Sequence, residues 1–113
     1  MHDDSPRDLF PGALEMMVLR LLRQQPMHGY ALVQRIQQAS QDLLQVEEGS
    51  LYPALQRLLK EGLVKAQWGV SATNRKVRIY QLTPAGTRHL TRELSRYSRM
   101  SRGINLVLGL GET

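Results

Sequence analysis

An α+β fold, mainly α, is predicted by three features of this sequence. Apolar residues recur at helical spacing in three windows before residue 62. Two segments rich in β-branched and aromatic residues follow, separated by a loop. A Thr-Pro pair then opens a long amphipathic run that continues to Leu108. The expected order is three helices, a two-stranded hairpin and one long C-terminal helix.

Helix one is expected from Ala13 to Arg23, with Leu14, Val18, Leu21 and Leu22 on one side and Met17 beside them. Gln24-Gln25-Pro26 ends it, because proline cannot continue the hydrogen-bond ladder. Helix two is expected from Tyr30 to about Ala39, burying Leu32, Val33 and Ile36 behind a weak cap at His28. Leu43, Leu44 and Val46 are expected to pack under helix three.

That third helix carries Leu51, Leu55, Leu58 and Leu59 on one face. Pro53 is tolerated only in a first turn, which places the N-cap near Gly49 or Ser50. Gly62 stands where a left-handed C-terminal cap is needed, and Leu63 beyond it can pack back on Leu58. Leu63–Trp68 and Lys76–Leu82 read as antiparallel strands joined by the loop Gly69–Arg75. Either Val77 and Ile79 or Tyr80 and Leu82 face the core. Thr83-Pro84 then starts the last helix, with threonine at the cap and proline in the first turn. Within it Leu90, Leu94, Tyr97, Ser101, Ile104 and Leu108 form a heptad seam. Arg88, Arg92, Arg96, Arg99 and Arg102 line the opposite side.

With 113 residues the chain is expected to form one domain with a single modest core. Its net charge of +5 is unevenly spread. Residues 1–48 carry four basic and seven acidic side chains, whereas residues 49–113 carry eleven and three. Twelve of the fifteen cations are arginine, the side chain best suited to bidentate contact with phosphate or guanine. A polyanionic partner is therefore expected for the second half. Catalysis is not. The chain has no cysteine, no glycine-rich phosphate loop, no histidine pair at ligand spacing and no close carboxylate dyad. No metal and no cofactor are expected. No apolar run is long enough to span a membrane, and no signal peptide is evident, so a cytoplasmic location is expected.

Three helices followed by a β-hairpin is the order of a winged helix-turn-helix, in which helices two and three form the reading unit and the hairpin is the wing. Particular residues narrow this further. "MHGYAL" at 27–32, "EEGSLYPALQRLLKEGLV" at 47–64 and "NRKVRIYQLTPAG" at 74–86 closely resemble the PadR family of bacterial transcriptional regulators. The likeness spans roughly residues 9–108, and the single C-terminal helix resembles the family's short subfamily. One departure is the wing tip, Ala72-Thr73-Asn74-Arg75-Lys76, where members often carry glycine and more arginine.

The resemblance implies a homodimeric repressor on a palindromic operator in double-stranded DNA. It divides the chain into a flexible segment at 1–8, a winged DNA-binding domain at 9–83, a dimerisation helix at 84–108 and a flexible tail at 109–113. Candidate DNA contacts are Tyr30 on helix two, Ser50, Tyr52, Gln56, Arg57 and Lys60 on helix three, and Arg75, Lys76 and Arg78 on the wing. The seam residues Leu90, Leu94, Tyr97, Ser101, Ile104 and Leu108 are the candidate dimer interface. Trp68 and Tyr97 are candidate contacts for an aromatic or hydrophobic small-molecule effector. A rival reading keeps the fold but makes it a dimerising interaction module without DNA.

Overall fold

The computed structural model describes residues 12–111. The expectations for residues 1–8, and for the last two residues of the tail, lie outside the described residues. Within them the order is α1 (Ala13–Gln24), β1 (Met27–His28), α2 (Gly29–Ala39), α3 (Glu48–Lys60), β2 (Val64–Val70), β3 (Lys76–Leu82) and α4 (Pro84–Leu108).

The core lies where α1, α2 and α3 meet the inner face of the sheet. Val18, Leu19, Leu32, Leu51, Leu55, Leu58 and Leu90 are essentially inaccessible to solvent. Among the described residues no polar or charged side chain is buried, so hydrophobic burial holds this core without an internal polar network.

The hairpin belongs to a three-stranded antiparallel sheet of order β1-β3-β2. Strand β1 pairs Met27 with Tyr80 and His28 with Ile79, while β2 pairs Ala66 with Tyr80 on the other side. The two-stranded wing is present as expected, and β1 adds a third strand that the sequence reading missed. A strand of two residues is too short to carry any alternating pattern, and its partner lies some fifty positions away. Tyr80 is buried and Leu82 packs on the core, which decides the face of β3 that the sequence left open.

Helix α3 starts earlier than expected. Its N-cap is Glu47, whose carbonyl accepts hydrogen bonds from the amides of both Ser50 and Leu51. Pro53 therefore stands inside the helix, past the first turn. A proline there costs about 3 kcal/mol relative to alanine and a helical glycine about 1 kcal/mol. Burial of Leu51, Ala54, Leu55 and Leu58 outweighs both. Before α3, Gln41 and Asp42 both adopt left-handed backbone. Val46 is buried and Leu44 packs on the core as expected, but Leu43 points into solvent, 82% exposed.

The junction between α3, β2 and α4 explains two of the motifs read from sequence. Gly62 adopts φ +74 and the Leu63 amide donates to the Leu58 carbonyl at 2.9 Å, closing the expected left-handed cap. The Thr83 hydroxyl donates to the Gly62 carbonyl at 2.7 Å and accepts from the Gly86 amide at 3.0 Å. Thr83 thus caps α4 and fastens it to the end of α3. Gly86 lies directly on the Leu63 carbonyl, with no room for a β-carbon. This close approach sets where α4 leaves the winged domain.

Helix α4 has 25 residues, a length of roughly 38 Å at 1.5 Å per residue. Its start packs into the core, and as far as Met100 it borders the beginning of α1. Gly86 and Leu90 are buried, and Leu94 packs against the core from the edge. Beyond it Tyr97, Met100, Ile104, Val107 and Leu108 are exposed. The helix ends at Gly109 (φ +76), whose neighbour Leu110 donates its amide to the Asn105 carbonyl.

Candidate nucleic-acid interface

Placing α3 on a helical wheel at ~100° per residue separates its exposed residues into three groups. Gly49, Pro53, Gln56 and Lys60 lie within about 30° of the direction opposite the buried Leu51, Ala54, Leu55 and Leu58. Tyr52 and Glu48 flank that line on one side. Ser50 and Arg57 flank it on the other, where the Arg57 guanidinium meets the Glu15 carboxylate of α1 at 3.4 Å. That ion pair is mostly solvated, so it contributes less than about 1 kcal/mol and leaves Arg57 able to turn outward.

Tyr52 is anchored by its neighbours. A β-carbon on Gly29 would come within 2.6 Å of the Tyr52 hydroxyl oxygen, so the phenol rests directly over the first residue of α2. This contact is why glycine precedes Tyr30 in the "MHGYAL" motif. Burial first, and then the charge of Glu48, the nearby Tyr80 and a hydrogen bond to Glu48, push the Tyr52 phenol above its ordinary range. At neutral pH it keeps its proton and is a hydrogen-bond donor.

Between the start of α2, the start of α3 and the wing runs an open cleft of about 800 Å³. His28, Tyr30, Gln34, Glu48, Tyr52, Ser71, Thr73 and Arg75 are among its lining residues. It brings together three of the residues singled out from sequence, Tyr30, Tyr52 and Arg75. Sequence reasoning missed Gln34, one helical turn after Tyr30, and the wing hydroxyls. Helical spacing from Tyr30 was the available signal for Gln34. Nothing local marked Ser71 or Thr73.

The wing tip is built by its own hydrogen bonds. Ser71 and Arg75 pair through their backbones at 2.8 Å, and the Arg75 amide also donates to the Ser71 hydroxyl at 3.2 Å. Asn74 supplies the left-handed residue of the turn, φ +63, where a glycine would otherwise serve. The three wing cations then separate. Arg75 faces the cleft, whereas Lys76 and Arg78 stack over Trp68 at 4.9 and 5.5 Å from the ring centroid. Trp68 itself is 62% exposed, beneath those cations and outside the core.

Tyr97 lies apart from Trp68, on α4, lining a small cavity with Gly12, Met16, Glu93, Arg96 and Met100. Of the seam, Leu90 is fully buried within this chain, and Leu94 borders an apolar cavity of about 270 Å³ with Met16, Met17, Leu21, Ile36 and Leu44. Ser101 is half-buried, while Tyr97, Ile104 and Leu108 are open. Among the described residues no group of histidine, aspartate or glutamate side chains is arranged to hold a metal ion. No described helix is long and apolar enough to cross a membrane.

The model of the transcriptional regulator PadR-like family matches residues 18–92. The chain belongs to that family. This makes it one of a family of regulators rather than of enzymes. A transcriptional regulator of Mycobacterium tuberculosis is 30% identical over 98 residues, covering 87% of this chain and 88% of the relative. A PadR family transcriptional regulator from Eggerthella lenta superposes with a TM-score of 0.74 at 30% identity, covering 87% of this chain and 83% of that one. The fold is shared with Bacillus subtilis PadR, which was solved in complex with operator DNA. That match has a TM-score of 0.65 at 24% identity, over 73% of this chain and 46% of the other.

Proposed function

We propose that this PadR-family regulator is a homodimeric repressor that binds a palindromic operator in double-stranded DNA. The observation that carries the reading is the cleft between α2, α3 and the wing, where Tyr30, Tyr52 and Arg75 converge beside the outward face of α3. Helix α3 enters the major groove with Gln56 and Lys60 foremost. Ser50 and Arg57 contact phosphates on one flank, and Tyr52, Tyr30 and Arg75 on the other. Lys76 and Arg78, ordered by Trp68, add wing contacts with the phosphates or the minor groove.

Dimerisation follows from the second half of α4. Its apolar stripe continues past the end of its own domain, and a second copy of the helix, related by a two-fold axis, covers it. The interface then comprises Leu94, Tyr97, Ser101, Ile104 and Leu108, with Leu90 supporting it from inside the chain. An aromatic or hydrophobic effector entering between the two α4 helices, against Tyr97, would alter the spacing of the two α3 helices and so the affinity. The position of Trp68 on the wing favours DNA over effector as its neighbour.

The reading is tested by titrating DNA from upstream of the chain's own gene at several salt concentrations. Affinity should fall with a log–log slope of about −0.9 for each phosphate neutralised. Absence of salt-dependent binding would favour the interaction-module reading instead.

Gly29→Ala offers a second check. Its β-carbon pushes the Tyr52 phenol aside, yet the clash is with the far end of a movable side chain. We expect little change in thermal stability and about a ten-fold loss of DNA affinity, equivalent to one hydrogen bond to a charged group. Wild-type affinity in that variant would remove Tyr52 from the interface.

A further inference from the structure

Two residues on the outward line of α3 are poor helix formers that nothing inside the molecule requires. Gly49 does not adopt left-handed backbone, and a β-carbon added to it would meet nothing within 4 Å. Neither a turn nor close packing explains a glycine there, in contrast to Gly29 under Tyr52 and Gly86 on the Leu63 carbonyl. Pro53 lies four residues on, exposed and inside the helix. Its nitrogen has no hydrogen to give the Gly49 carbonyl, so one rung of the ladder is missing on this face. Alanine at either position would make a better helix.

The pair therefore weakens α3 without improving the packing of the chain, and its use has to lie outside the chain. What it presents is specific. A stretch of backbone without a side chain sits beside a flat, rigid, apolar ring, in line with Gln56 and Lys60. In the major groove the apolar feature of the base edges is the C5-methyl group of thymine. Glycine allows the helix to approach closely, and the proline ring gives that methyl group an apolar surface.

We propose that Pro53, with Gly49 beside it, is a specificity-determining contact of α3 that reads a thymine methyl group. The assignment rests on the DNA-reading role given above, and it adds to Gln56 and Lys60 an element that makes no hydrogen bond to the base.

The test uses duplexes selected from a random pool by the wild-type protein. Each thymine of the selected site is replaced in turn by deoxyuridine, which removes only the methyl group. At one thymine in each half-site the replacement should weaken binding about four-fold, the effect of losing one buried methyl-sized group. Pro53→Ala should fold with a thermal midpoint no lower than the wild type and bind the thymine duplex more weakly by a similar factor. It should no longer distinguish thymine from deoxyuridine at that position. A selected site without thymine, a wild type indifferent to every replacement, or a Pro53→Ala variant with undiminished discrimination would each overturn the assignment. All three leave DNA reading itself intact. Failure to select any duplex would remove both.

Discussion

Ile104→Arg is expected to yield a monomer of 12.9 kDa where the proposed wild-type assembly is a dimer, as read by light scattering on a sizing column. Ile104 lies on the stripe of α4, outside the core cluster, and is 37% exposed in the single chain. The substitution therefore leaves the monomer's core untouched. In a two-fold interface each copy contributes the same patch, so one substitution introduces two guanidinium groups. Burying them without partners costs several kcal/mol each, more than a helix-pair interface of this length can offset. Operator affinity should fall steeply with the mass, because a single half-site lacks the linkage that holds the second reader at high effective concentration. Leu94→Arg would be the less informative variant, since Leu94 also packs against its own core and its loss mixes folding with assembly. A dimeric mass for Ile104→Arg would place the interface elsewhere.

Gly86→Ala should have the largest effect on folding. The added β-carbon meets the carbonyl oxygen of Leu63 and the side chain of Leu82, and the oxygen belongs to backbone that cannot swing away. Leu63 is held there by the Thr83 amide and by its own hydrogen bond to Leu58. Relief requires moving the start of α4, which breaks the Thr83 bridge to Gly62 and the cap on the Gly86 amide. Overpacking of this kind costs about 3 kcal/mol, which for a domain of this size lowers the thermal midpoint by roughly 10 °C or more. The gain in helix propensity from alanine, about 1 kcal/mol, is too small to compensate. Calorimetry on the purified variant provides the check, and a midpoint within a degree or two of wild type would contradict the packing described at this junction.

Much of this molecule was legible in its sequence because its elements announce themselves locally. The leucine spacing of α1 and α3, the Gly62-Leu63 stop and the Thr83-Pro84 start each depend on residues within one or two helical turns. The features that escaped depend on distant partners. Strand β1 exists only because Met27 and His28 meet Tyr80 and Ile79. The early start of α3 reflects tertiary burial of Leu51 and Leu55 overriding the preference of Pro53 for a first turn. Leu43 reads as apolar and therefore interior, but two left-handed residues before it redirect the chain.

The candidate interface divides in the same way. Tyr30 stood out through the "MHGYAL" motif, and Tyr52 and Arg75 as aromatic or charged residues in the basic half of the chain; the fold brings all three to one cleft. Their meeting point could not be read from spacing, because three segments more than fifteen residues apart supply it. Trp68 shows the converse. A lone tryptophan on a short strand resembles a core residue, and only the register of Trp68 against Arg78 places it on the projecting part of the hairpin, under two cations. Arg57 is intermediate, since helical spacing exposes it while the Glu15 carboxylate draws it toward α1.

The measurement that bears most directly on a two-fold reader is the symmetry of the DNA the wild-type protein selects from a random pool. Two α3 helices on a common axis should enrich an inverted repeat whose half-site centres lie one helical turn apart, roughly 10 base pairs, or a multiple of it. Ile104→Arg should enrich at most one half-site from the same pool. Selection by the wild type of a single, unrepeated element, or of no sequence at all, would contradict the account.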